Sequence, residues 1–105
     1  MSEGLDRLFA TIAARKGADP AASYTAKLLA AGVEKCAKKF GEEATEAVIA
    51  AISRDKTELA KESADVLYHL AVLWAASGIT PDDVYAVLKA REGVSGLDEK
   101  AGRKD

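Results

Sequence analysis

The sequence predicts an all-α chain of about five helices forming a helical bundle. Alanine and leucine, both strong helix formers, are abundant. Apolar residues recur at steps of three and four, the spacing of one helix face. No alternating run bounded by turn residues marks a strand, and the only prolines, Pro20 and Pro81, each sit at a break.

The elements follow in order. The first helix is expected from Leu5 to Lys16, with Leu5, Leu8, Phe9 and Ile12 on one stripe, and Gly17 to Pro20 end it. Ser23, or Thr25, can cap a short helix from Tyr24 to Ala31, stopped by Gly32. A longer helix follows from Val33 to Ser53, and its apolar face reads Val33, Ala37, Phe40, Ala44, Ala47, Val48 and Ala51. Gly41 inside it costs about 1 kcal/mol relative to alanine, so it should relieve crowding or mark a bend. Asp55 can cap the fourth helix, and Glu58 three residues on would complete a capping-box-like pair. That helix runs to Ser77, with Leu59, Val66, Leu67, Leu70, Leu73 and Trp74 inward, and Gly78 ends it. Thr80-Pro81-Asp82-Asp83 supplies a cap, a proline at the first helical position and acids at the positive dipole end of a fifth helix, which runs to Arg91.

Residues 1–92 read as a single domain, and residues 93–105 as a charged, mobile tail. A chain of 105 residues buries a limited core, so packing between subunits is an expected source of stability. The apolar fraction of 49% excludes a disordered chain, and the charged fraction of 30% excludes a membrane-embedded one. No apolar run approaches the roughly 18 residues of a membrane span. A net charge of −2 disfavours a globally basic nucleic-acid binder. A lone cysteine, Cys36, cannot form an internal disulfide, and a reduced, cytoplasmic setting is expected.

The balanced net charge conceals an asymmetry. From Arg15 to Lys39 there are six basic residues and two acids; from Glu42 to Asp65 there are seven acids and three bases. Within the acidic stretch, Glu43 and Glu46 share a helix face, as do Glu62 and Asp65, and Glu42 lies at the edge of the first pair's face. The two pairs stand at similar sequence distances on either side of Arg54. Helices joined by so short a turn are antiparallel neighbours, so the pairs can face each other. Five converging carboxylates repel, and a hard divalent cation removes the repulsion. The spacing alone leaves a second reading open, a polar face paired with Lys and Arg. No Glu-x-x-His element supports a di-iron bundle.

The string Glu42-Glu43-x-x-Glu46 … Glu62-x-x-Asp65 resembles the metal-binding signature of the MazG-like all-α nucleotide pyrophosphohydrolases. The longer pattern is similar to the phosphoribosyl-ATP pyrophosphohydrolase family: Ser23-Tyr24-Thr25, Leu28, Gly32, Lys35, Lys39, Gly41 to Glu46, and Asp65-x-x-Tyr68-His69-Leu70. The tail Arg91-Glu92-Gly93-x-Ser95-Gly96-Leu97 is also similar to tails in that family. The resemblance implies hydrolysis of phosphoribosyl-ATP to phosphoribosyl-AMP and pyrophosphate, the second step of histidine biosynthesis. It implies Mg²⁺ as the cofactor, with Mn²⁺ an alternative, and a homodimer or higher homo-oligomer completing the bundle.

On that basis Glu43, Glu46, Glu62 and Asp65 are the expected metal ligands, with Glu43 also counted as catalytic. Glu42 is expected to hold a second ion or to orient the attacking water as its base. Lys35 and Lys39, four apart on one face, are the expected phosphate ligands. Tyr24 and Thr25 are expected at the substrate, and His69 at a carboxylate as a supporting hydrogen-bond partner. Tyr68, Trp74 and Phe40 read as core, and Cys36 has no neighbouring base that would make it a nucleophile. Two rival functions share parts of this pattern. A pyrophosphohydrolase of ordinary nucleoside triphosphates needs the same acids, and Ser23-Tyr24-Thr25 with Tyr68-His69 favours the histidine pathway over it. A non-catalytic dimerisation module would leave the acids solvated.

Overall fold

The computed structural model describes residues 3–93; the tail expected over residues 93–105 therefore lies, apart from Gly93, outside the described residues. The described residues form five helices and no strand: α1 (Glu3–Ala13), α2 (Tyr24–Ala31), α3 (Val33–Ile52), α4 (Lys56–Ser77) and α5 (Pro81–Ala90). Among them, no helix is long and apolar enough to cross a membrane.

Local chemistry sets most boundaries. The Ser23 hydroxyl accepts from the Ala26 backbone N–H at 3.2 Å, so Ser23 rather than Thr25 caps α2. The Asp55 carboxylate accepts from the Glu58 N–H at 3.0 Å and caps α4. The reciprocal half expected from Glu58 is not made, because the Asp55 N–H bonds back to the Ala50 carbonyl. At α5 both halves form: Thr80 accepts from the Asp83 N–H, and the Asp83 carboxylate accepts from the Thr80 N–H at 2.8 Å. Gly78 closes α4 in the left-handed conformation, where the Gly78 and Ile79 N–H groups return to Ala75 and Trp74.

The α3 and α4 helices form the main pair, α1 packs across α4, and α2 bridges the two; α5 rests on α1. The Tyr85 hydroxyl donates to Asp6 at 3.0 Å, tying α5 to α1. The core gathers Ile12, Leu28, Cys36, Ala71, Val72 and Ala75, with Leu8, Phe9, Leu29 and Tyr68 packed around it. The Cys36 thiol is buried and donates to the Leu28 carbonyl, and burial pushes its pKa up. Both observations give the sulfur a packing role.

Three expectations are corrected. The first helix ends at Ala13 rather than Lys16, because Arg15 and Lys16 bond to carbonyls three residues back and the stretch from Ala13 to Gly17 carries no large apolar side chain to bury. The inward face of α3 is rotated from the one expected: Cys36 and Ala50 are its buried residues, and Phe40, Glu43 and Ala47 are half-buried between them. Val33, Ala37, Val48 and Ala51 face outward with Ile49 and Ile52. Leu67 on α4 is likewise 49% exposed. Hydrophobic periodicity marks every face that leaves water, and does not separate a fold's own core from a face left for another surface. At Gly41 a methyl group would meet nothing within 4 Å, so crowding does not demand a glycine there.

Two stability outcomes follow. Ile12→Ala, at a site 1% exposed, should cost about 3 kcal/mol in denaturant unfolding. Gly41→Ala should raise stability by about 0.5–1 kcal/mol; a loss would show that α3 needs glycine for a reason other than space.

Candidate metal centre and adjoining cleft

The short reversal Ser53–Asp55 turns α3 back along α4. It contains Arg54 at φ +60°, and the N–H groups of Arg54 and Asp55 close onto Ala51 and Ala50. This tight closure puts the acidic faces of the two helices opposite each other. Glu43, Glu62 and Asp65 each offer a carboxylate oxygen within 4.8 Å of the others. Glu43 and Glu62 are half-buried and Asp65 is exposed.

Glu62 is the most perturbed member. Loss of solvent raises its pKa first, then a hydrogen bond with the Glu58 side chain, then the charges of Glu46, Asp65 and Glu43. Its Oε2 is buried without a hydrogen-bond partner among the described residues. A buried, unpartnered carboxylate oxygen among like charges calls for a cation, and an all-oxygen donor set suits a hard divalent ion. Glu46 is exposed and outside the three-residue cluster, but lies close enough to act on Glu62. Glu42 is also outside that cluster, and its carboxylate lies 3.7 Å from Lys39 Nζ.

His69 is 6% exposed, with Nε2 4.0 Å from Glu43 Oε1 and Nδ1 buried without a partner among the described residues. It stands edge-on to Tyr68 at 5.0 Å and to Tyr24 at 6.3 Å between ring centres. Thr25, freed from capping, shares a short hydrogen bond with the Tyr68 hydroxyl and joins α2 to α4. Tyr24 also lines a cleft of about 210 Å³ with Lys27, Leu28, Ala31, Lys35 and Lys39. The two expected phosphate ligands therefore lie in one cleft, and Lys39 connects that cleft to Glu42.

Two residues were not assigned to the site from sequence. Glu58 reads as a cap partner, although its i,i+4 spacing to Glu62 was visible. Lys27 sits on α2, and only the packing of α2 on α3 brings it beside Lys35.

Comparison with known proteins shows the family. The chain matches the family described as Phosphoribosyl-ATP pyrophosphohydrolase over residues 5–92. It is 65% identical over 99 residues to the Phosphoribosyl-ATP pyrophosphatase of Cereibacter sphaeroides, spanning 94% of this chain and 96% of that one. It is 66% identical to the protein of the same name from Parvibaculum lavamentivorans, over 94% of this chain and 91% of that one. With the protein so named from Paracoccus denitrificans it shares 61% identity over 101 residues, or 96% and 94% of the two chains. A chain matched over nearly its whole length, with its acids gathered between two paired helices, belongs to the phosphoribosyl-ATP pyrophosphohydrolase family.

Proposed function

We propose that this chain hydrolyses phosphoribosyl-ATP to phosphoribosyl-AMP and pyrophosphate, the second step of histidine biosynthesis, in the cytoplasm. The observation that carries the reading is the triad Glu43, Glu62 and Asp65, with its buried unpartnered oxygen, in a chain more than 60% identical to proteins named for this reaction.

Mg²⁺, or Mn²⁺ in its place, held by Glu43, Glu62 and Asp65 with Glu46 nearby, would neutralise phosphate charge and acidify a bound water. The remaining work falls to the chain's own residues. Glu42, at the margin of that cluster, would orient the attacking water and receive its proton on a carboxylate oxygen, with Lys39 3.7 Å from that carboxylate. Lys35 and Lys39 bind phosphate oxygens. His69 packs against Glu43 and limits how that carboxylate can turn. Thr25 acts through Tyr68, keeping α2 and its cleft residues in register with α4. Tyr24 stands at the mouth of the cleft, 54% exposed, available to the substrate.

The outward apolar residues of α3 support a homodimer or higher homo-oligomer. Val48, Ile49 and Ile52 are 56%, 58% and 76% exposed on one helix, an arrangement that an isolated subunit would leave in water.

Three measurements bear on this reading. Glu62→Gln should lower turnover of phosphoribosyl-ATP at least about 100-fold, and Glu42→Gln should lower kcat by about 10²-fold or more with helix content intact; unchanged turnover in both would sink the assignment. In the metal-free protein Glu62 keeps its proton to a higher pH folded than unfolded. Stability should therefore decline as pH rises from the unfolded to the folded pKa and level off above it. Glu62→Gln should flatten that decline in chelator-treated thermal unfolding and remove stabilisation by added Mg²⁺. Ile49→Glu should shift the protein to monomer in light scattering; an unchanged mass would place any interface on another face.

A further inference from the structure

We propose that Lys27 and Lys35, with Tyr24 beside them, take the terminal phosphate of the substrate's phosphoribosyl arm and so distinguish this substrate from a plain nucleoside triphosphate. The proposal rests on the reaction proposed above and names the end of the substrate that the cleft receives.

Charge comes first. Three lysines line one small cleft. Lys39 is engaged by Glu42, whereas neither Lys27 nor Lys35 has a carboxylate within ion-pair distance among the described residues. Ammonium groups gathered without counter-charge favour an anionic guest, and the apolar wall of Leu28 and Ala31 weakens screening on one side.

Distance along α3 then decides which anion. Lys35 precedes Glu43 by eight residues, about 12 Å along the helix axis. A pyrophosphate leaving group held at the carboxylates has a single oxygen bridging its two phosphorus atoms and spans less than that axial separation. The phosphoribosyl arm leaves the opposite side of the purine and carries its phosphate beyond a second ribose.

The groups between the two ends have the matching order. Glu43 meets His69, His69 packs at right angles to the ring of Tyr24, and Tyr24 lines the lysine cleft. The substrate runs triphosphate, ribose, purine, ribose, phosphate. Tyr24, exposed and in contact with both His69 and the lysine cleft, offers a stacking surface for the purine on the side of the cleft nearer the carboxylates.

The test measures equilibrium binding, with Mg²⁺ present, of the two products that divide the substrate: phosphoribosyl-AMP, which retains the arm, and pyrophosphate, which lacks it. Lys27 and Lys35 are exposed, so Lys27→Met and Lys35→Met should leave the fold intact. Each should weaken phosphoribosyl-AMP about tenfold and leave pyrophosphate unchanged. Lys35→Arg should restore most of the loss, and Lys38→Met, on an exposed lysine outside the cleft, should change neither ligand. Weakening of pyrophosphate alone would overturn the proposal and give the cleft to the leaving group. Equal weakening of both, no effect on either, or a wild type that binds phosphoribosyl-AMP no better than AMP would also overturn it. Wild-type turnover of phosphoribosyl-ATP, run in parallel, reports on the reaction itself: its absence strikes the proposed function, whereas a wrong binding pattern with turnover present strikes only the cleft.

Discussion

Carboxylates crowded into one small volume repel, and the pairing of α3 with α4 holds them there nonetheless. The force that does so comes from elsewhere in the molecule. Cys36, Leu28, Ala71, Val72 and Ala75 are buried toward the N-terminal part of α3 and the C-terminal part of α4, while the tight reversal at Arg54 fastens the opposite ends. The acids lie between these two anchors and do not contribute to either. Glu62 shows the result: one of its oxygens is out of water, beside four other carboxylates, with nothing among the described residues to satisfy it. Hydrophobic burial thus keeps an electrostatically unfavourable arrangement in place until a cation relieves it.

Along α3 the charge changes sign within a few turns. Lys35 and Lys39 come first, then Glu42, Glu43 and Glu46. One helix can therefore present ammonium groups to one part of a polyanion and carboxylates to a metal ion at another. The pair of Lys39 and Glu42 stands where the sign changes. Both side chains are partly exposed, so their attraction is screened and modest. Its use is positional, since it keeps a carboxylate at the margin of the cluster instead of adding a further negative charge inside it.

Much of this was legible in the sequence because much of it is local. Ser23, Asp55 and Thr80 act through backbone groups three residues away, and each was recognisable as a cap. The facing of Glu43 and Glu46 by Glu62 and Asp65 depends only on helical spacing and a short turn. What could not be read depended on neighbours distant in the chain. The inward face of α3 includes Cys36 and Glu43 while Val48, Ile49 and Ile52 face outward, so apolarity alone gave the wrong rotation. Lys27 approaches Lys35 only through the packing of α2. Glu58 has two available roles, at Asp55 and at Glu62, and only the course of the Asp55 N–H to Ala50 decides between them.

The reversal at Arg54 bears on how this chain can vary. Surface loops ordinarily accept insertions at small entropic cost. Here the turn leads directly into the helix that carries Glu58, Glu62 and Asp65. A residue added within α4 ahead of them would swing all three by about 100° and advance them by about 1.5 Å, out of reach of Glu43. Lys56 and Thr57, which precede them in α4, are exposed and free to differ, but their number is not. Length, more than composition, is the quantity that this stretch of chain must hold constant.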